Sequence, residues 1–302
     1  MRQRFAVLVS FLLFAMGVAP AGFAQQHNRV ALLIGNAVYP DADAPLKEPV
    51  TDARALGDEL GHWGFDVTIG ENLKEQALKQ ALDQFYAKIY SGSAAIAVIF
   101  FSGFGIQSNQ QTYIIPVDAQ IWNENDVRRD GFNLEEIIAQ MDKRGAKIKV
   151  AIIDASRPNP FERRFRSVAA GLTAVAAPRG TLVMMSALPE TVVDTGQSVF
   201  VTKLLAELKK TPDSTIEQTF SRARSDVSRE TKGQQVPWFS SSLGEDLAIG
   251  SAAAAVSSTT VQPTVASSAA PSTDEAAPAP STNTGALPGP PNTLLWWWPR
   301  WQ

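Results

Sequence analysis

The feature that most constrains the fold is a repeated alternation between Arg29 and Gly250. Short apolar runs that read as buried strands are separated by stretches with helical spacing. Val30 to Ile34 is one continuous apolar run ending at Gly35, the pattern of a parallel strand covered on both faces. Phe65 to Ile69, the strongly apolar Ala94 to Phe101, Ile148 to Ile153 and Thr181 to Met185 repeat it, and Thr112 to Ile115 is a shorter strand before Pro116. Between them, Leu56 and Leu60 lie one turn apart in Thr51 to Leu60, with Gly61 as a stop. Leu78, Leu82, Phe85 and Ile89 share one face of Leu73 to Tyr90, and Leu134 to Met141 is a further helix. Val199 to Leu208 and Thr215 to Glu230 close the series, the latter with Ile216, Phe220 and Val227 on one stripe. Alternation of this kind predicts an α/β domain with a mostly parallel central sheet flanked by helices.

The flanks are of a different kind. Arg2 and Arg4 precede an apolar run from Phe5 to Ala19. Gly22-Phe23-Ala24 then supplies small residues at the −3 and −1 positions of a cut after Ala24. Residues 1–24 are therefore expected to be a secretory signal peptide, with a periplasmic or secreted destination; an uncleaved anchor is the alternative. After Gly250 the chain turns to Ala, Ser, Thr and Pro with scarcely a charge, and 251–293 is read as a disordered linker. Residues 294–302 end it with Trp296, Trp297, Trp298 and Trp301, indoles suited to a partner groove or a membrane surface.

Composition removes several classes of function. The chain has no cysteine, which excludes disulfides, thiolate chemistry and Cys-ligated metals. Its two histidines, His27 and His62, are too few for a multi-histidine centre. No cofactor motif is present. Asp118, Asp126 and Asp130 have the chemistry for calcium, but their spacing forms no recognisable ligand loop, so no metal site is assigned. A net charge of −3 gives no basic footprint for nucleic acid.

In open α/β sheets, functional groups collect beyond the C-terminal ends of the strands. Two segments there stand out: Phe101-Ser102-Gly103-Phe104-Gly105 and Asp154-Ala155-Ser156-Arg157-Pro158-Asn159-Pro160-Phe161. Gly103 and Gly105 bracket one side chain in what reads as a tight turn. The second segment seats a small polar residue just past a buried strand.

At these residues the chain resembles the bacterial caspase-like proteases, relatives of metacaspases and caspases. They carry Ser-Gly-His-Gly at the first segment and Asp-Ala-Cys-Arg-x-Asn-Pro-Phe at the second. The likeness continues through Ala31 to Asn36 with Tyr39-Pro40, Thr51-Asp52-Ala53, Gly64 to Val67, Tyr113 to Ala119 and Gln235 to Trp238, so it spans residues 28–250. It implies a caspase-like three-layer sandwich for that domain. It also implies a His–Cys dyad, whose positions hold Phe104 and Ser156. Phe104 cannot move a proton, and an alcohol such as Ser156 needs a base to be a useful nucleophile. His27 and His62 precede their strands, at the opposite edge of the sheet, and Lys147 and Lys149 are read as preceding theirs too.

The family's pocket for a basic P1 side chain maps onto Asp52, Ser102 and Asp154, two carboxylates and a hydroxyl that suit a guanidinium. The bland alternative is that Asp52 begins its helix and Asp154 ties down its loop. Arg163, Arg164 and Arg166 read as a solvated basic loop. Three functional readings stay open. The chain is an exported pseudoenzyme that binds a basic peptide or protein, a residual hydrolase using Ser156, or a structural scaffold whose cleft is filled by Phe104.

Overall fold

A computed structural model of the chain describes residues 29–42, 45–92, 96–163, 165, 171–193, 199–210 and 214–244. All lie in the first of two units, Met1–Ala255. Residues 1–24, His27, Arg164, Arg166, the segment read as a linker and the tryptophan-rich tail lie outside the described residues.

Six strands form the main sheet: β1 (Arg29–Gly35), β2 (Asp66–Glu71), β3 (Ile96–Ser102), β7 (Ile148–Asp154), β8 (Thr181–Met185) and β9 (Trp238–Ser241). Their order is β2-β1-β3-β7-β8-β9. The first five run parallel, and β9 closes one edge antiparallel to β8. A separate three-stranded sheet joins β4 (Gly105–Ser108), β5 (Gln111–Ile114) and β6 (Phe132–Asn133).

Because side chains alternate across a strand, each central strand feeds two cores. Val30, Leu32 and Ile34 face α2 (Glu75–Gly92) and α4 (Leu134–Lys143), where Leu78, Leu82, Phe85, Ile89, Ile137 and Met141 are buried. Ala31 and Leu33 face α1 (Pro49–His62), α5 (Phe200–Lys210) and α6 (Ile216–Glu230), burying Leu56, Leu60, Leu204, Phe220 and Val227. Helices on both faces of a mostly parallel sheet make the caspase-like three-layer arrangement that the alternation and the resemblance together predict. A third apolar cluster, around Tyr39, Phe104, Tyr113, Ile115 and Phe161, lies apart from both.

Four elements have no clear counterpart in the sequence pattern. β4, β6 and β9 have two to four residues each, too few to show a period. The short helix α3 (Glu124–Asp130) does carry a signal, a capping box between Asn123 and Asp126. Lys149 also moves: it is the second residue of β7, not a residue before it. It is fully buried, with its ammonium on Asp142 Oδ1 at 2.7 Å.

Candidate functional site

The C-terminal ends of three adjacent strands define the site. Gly35 of β1 lies in register with Ser102 of β3, and Ser102 with Asp154 of β7, so the two segments singled out in the sequence start side by side. Their backbones are stitched together. Gly103 N donates to Asp154 O and Gly105 N to Ala155 O.

Gly103 and Gly105 are required here for a reason other than a turn. Neither has a positive φ. A Cβ on Gly103 would stand 2.6 Å from the Tyr39 hydroxyl, and one on Gly105 would stand 2.9 Å from Leu172 and 3.0 Å from Ala155. The pair lets the chain slip between neighbours, and close approach explains it where turn conformation does not.

Phe104, between them, is 6% exposed and belongs to the third apolar cluster. Its ring meets Tyr39 edge to face, with centroids 4.8 Å apart. The Tyr39 hydroxyl accepts from Phe104 N and donates to Ile115 O, and burial holds its pKa well above the usual tyrosine range. Phe104 is thus a core residue.

Ser156 is 1% exposed, and its Oγ has no hydrogen-bond partner. Its carbonyl accepts from Val193 N, in the segment after β8. A nucleophilic alcohol needs a base within about 3 Å, and no described residue supplies one. His62 is exposed in the last turn of α1, just before β2, so it lies at the sheet's other edge. Lys149 is committed to Asp142 there as well.

The acidic positions do converge. Asp52 stands in the first turn of α1, and Asp154 and Ser102 end their strands. A residue to which the sequence alone assigns no role occupies the space between the latter two. Arg157 reaches back from its loop and is 9% exposed. Its Nη2 donates to Asp154 Oδ2 at 3.0 Å and to Ser102 Oγ at 3.3 Å, and its Nε donates to Gly103 O at 3.2 Å. The only sequence signal for this is its place three residues after Asp154, inside the family-like motif.

Arg157 does not neutralise the whole site. Asp52 Oδ2 and Glu48 Oε1 are both buried atoms without a hydrogen-bond partner. Burial, then the nearby charges of Asp154 and Glu48, push the Asp52 pKa up to about 7, against the opposing pull of Arg157. Arg157 thus pairs with Asp154 and also acts on Asp52 through its charge. Glu48 is a further member that the sequence does not single out; it precedes Pro49 at the start of α1 and gives that helix no side-chain cap. Arg163 is exposed at the loop's far end.

No metal-binding arrangement of acidic or histidine side chains is found among the described residues. The three aspartates with calcium chemistry each accept from backbone amides. Asp118 accepts from Glu75 N, Asp126 from Trp122 N and Asn123 N, and Asp130 from Gln120 N.

Among known families, the model of the caspase domain matches residues 28–248, well over half of the chain. No curated protein matches it.

Proposed function

Since the chain belongs to the caspase-domain family, we propose that it is a member that binds without cutting, an exported pseudoenzyme that recognises a basic side chain in its acidic site. The observation that carries this reading is Ser156. Its hydroxyl is enclosed and without any hydrogen-bond partner, while the neighbouring dyad position, Phe104, is part of a core. In serine proteases, loss of either member of the nucleophile–base pair removes about six orders of magnitude of rate; here both are replaced.

The binding half of the reading rests on what the site retains. Asp52, Ser102 and Asp154 are gathered at one sheet edge, and the Asp52 carboxylate keeps an unpaired oxygen. Val38, 52% exposed after β1, and Leu188, 37% exposed after β8, offer apolar contacts along that edge for residues flanking a basic side chain. A single guanidinium–carboxylate seat, limited by desolvation of both partners, supports affinity on the order of micromolar to millimolar.

The test is calorimetric titration of residues 25–302 with Arg-containing peptides and their Ala-substituted versions, at low and high salt. Binding of the Arg peptides alone, weakened by salt and by Asp52→Ala, is the expected result. Equal binding of both peptide sets removes the recognition role. Peptide cleavage that disappears in Ser156→Ala removes the pseudoenzyme. Export has its own check, an intact mass of the cell-expressed protein that begins at Gln25.

A further inference from the structure

The Arg157 side chain does what the site is shaped to do for a ligand. A guanidinium has five N–H donors in a planar fork, and its preferred partners are carboxylates and carbonyls arranged around that plane. Three such contacts are made here by one buried side chain: to Asp154 Oδ2, Ser102 Oγ and Gly103 O. Two of the three acceptors, Asp154 and Ser102, are the residues to which the pocket reading assigns an incoming basic side chain. The seat and its occupant are therefore both encoded in this chain. We propose that Arg157 is the resident ligand of the acidic site, and that a basic side chain from outside binds by exchanging with it.

Charge makes exchange the expected route. Asp154 is 2% exposed, and a carboxylate that deeply buried cannot be left without a cation. A second guanidinium arriving at the seat would take over from Arg157 the contacts to Asp154 and Ser102. The Arg157 side chain extends from the loop that follows β7. A swing of this side chain with its loop, without rearrangement of the sheet, would empty the seat. An occupied seat also lowers apparent affinity, since a ligand sees only the fraction of molecules whose site is open.

The proposal rests on the pocket reading in taking the same acidic site for the ligand, and its test separates the two. The probe is methylguanidinium, with methylammonium as a control of equal charge and different shape. The proteins are residues 25–302 as wild type, Arg157→Ala, Arg157→Lys and the double variant Arg157→Ala, Asp154→Ala. Methylguanidinium is expected to raise the melting temperature of Arg157→Ala, to leave the wild type unmoved, and to outperform methylammonium; the double variant loses the rescue. Removing the resident group should also tighten binding of an Arg-containing peptide roughly ten- to hundredfold, with Arg157→Lys in between.

If Arg157→Ala does not fold, Arg157→Lys carries the test, and peptide affinity equal to wild type overturns the proposal. A folded Arg157→Ala without rescue overturns it as well. Equal peptide binding by wild type and Arg157→Ala, still dependent on Asp52, overturns exchange while the pocket reading stands. Rescue by methylguanidinium with no peptide binding by any variant has the opposite meaning: the resident-ligand seat holds and the peptide-binding function falls.

Discussion

The two segments that meet at the sheet edge have filled their shared site in different ways. Around Phe104 the filling is apolar. A ring locked against Tyr39 and the rest of the third cluster is held by packing that no soluble ligand can replace piece by piece. Around Arg157 the filling is ionic, a guanidinium held by acceptors that would hold any other guanidinium equally well. The side that the resemblance assigns to chemistry is filled by core packing, whereas the side that it assigns to recognition is filled by an ion pair and hydrogen bonds.

The largest effect expected from breaking this contrast is on the apolar side. Phe104→Ala removes a buried aromatic from the third cluster and should cost about 4 kcal/mol in urea or guanidinium unfolding. A loss under about 1 kcal/mol would mean that the ring only lines a cleft and that the site is open there.

Next comes the ionic side. Asp154→Ala takes from the Arg157 cation, at 9% exposure, its bonded carboxylate and should cost about 3 kcal/mol. Removing Arg157 as well should recover part of that loss, because the double variant removes both members of the buried pair. Additive losses in the double variant would show that the two side chains do not act as a pair.

How far the sequence alone foretells this division depends on the range of the interactions involved. The apolar runs Val30 to Ile34 and Ile148 to Ile153 announce their strands because burial on both faces leaves a local signature. Phe104 is legible as a non-catalytic residue from its type. Its burial is not, since the partners Tyr39, Ile115 and Phe161 come from three other segments. Ser102 and Asp154 are marked by motif, and the strand register that aligns them is a property of the fold. Arg157 is in plain view within the same motif, but its side-chain direction back across Gly103 is a tertiary fact. Glu48 escapes because a glutamate before a proline reads as an ordinary helix start, and only the folded helix brings its charge to bear on Asp52.

A smaller effect, dependent on pH, comes from Asp52. Its folded-state pKa of about 7 lies above the usual aspartate value near 3.9, so the folded protein holds a proton that the unfolded chain releases. Stability must then fall as pH rises from about 4 toward 7, and level off above. Asp52 is only partly buried, and solvent screening reduces the contribution to about 1 kcal/mol. Asp52→Asn should flatten the pH profile and be the more stable protein at about pH 8. An unchanged slope would mean that Arg157 compensates Asp52 fully, and that the folded protein does not retain the Asp52 proton.

The smallest effect is the one that bears most directly on catalysis. Ser156 Oγ is buried and makes no hydrogen bond, so its desolvation is uncompensated. Ser156→Ala deletes that unpaired hydroxyl with almost no change in shape. It should be neutral, or stabilising by up to about 1 kcal/mol, with no change in the background rate on Arg or Lys peptides. An active-site serine behaves otherwise, because its hydroxyl is held by a base and its loss abolishes turnover. The complementary variant, Phe104→His with Ser156→Cys, returns both missing groups to their loops. It places an imidazole in an apolar cluster under the Tyr39 ring, where the neutral form is favoured and the ring is held by packing that was never set for a thiol. At best weak cleavage is expected. Robust, pH-dependent turnover in that variant would show that the catalytic geometry is intact beneath the substitutions, and that Phe104 is a replaceable plug much as Arg157 is.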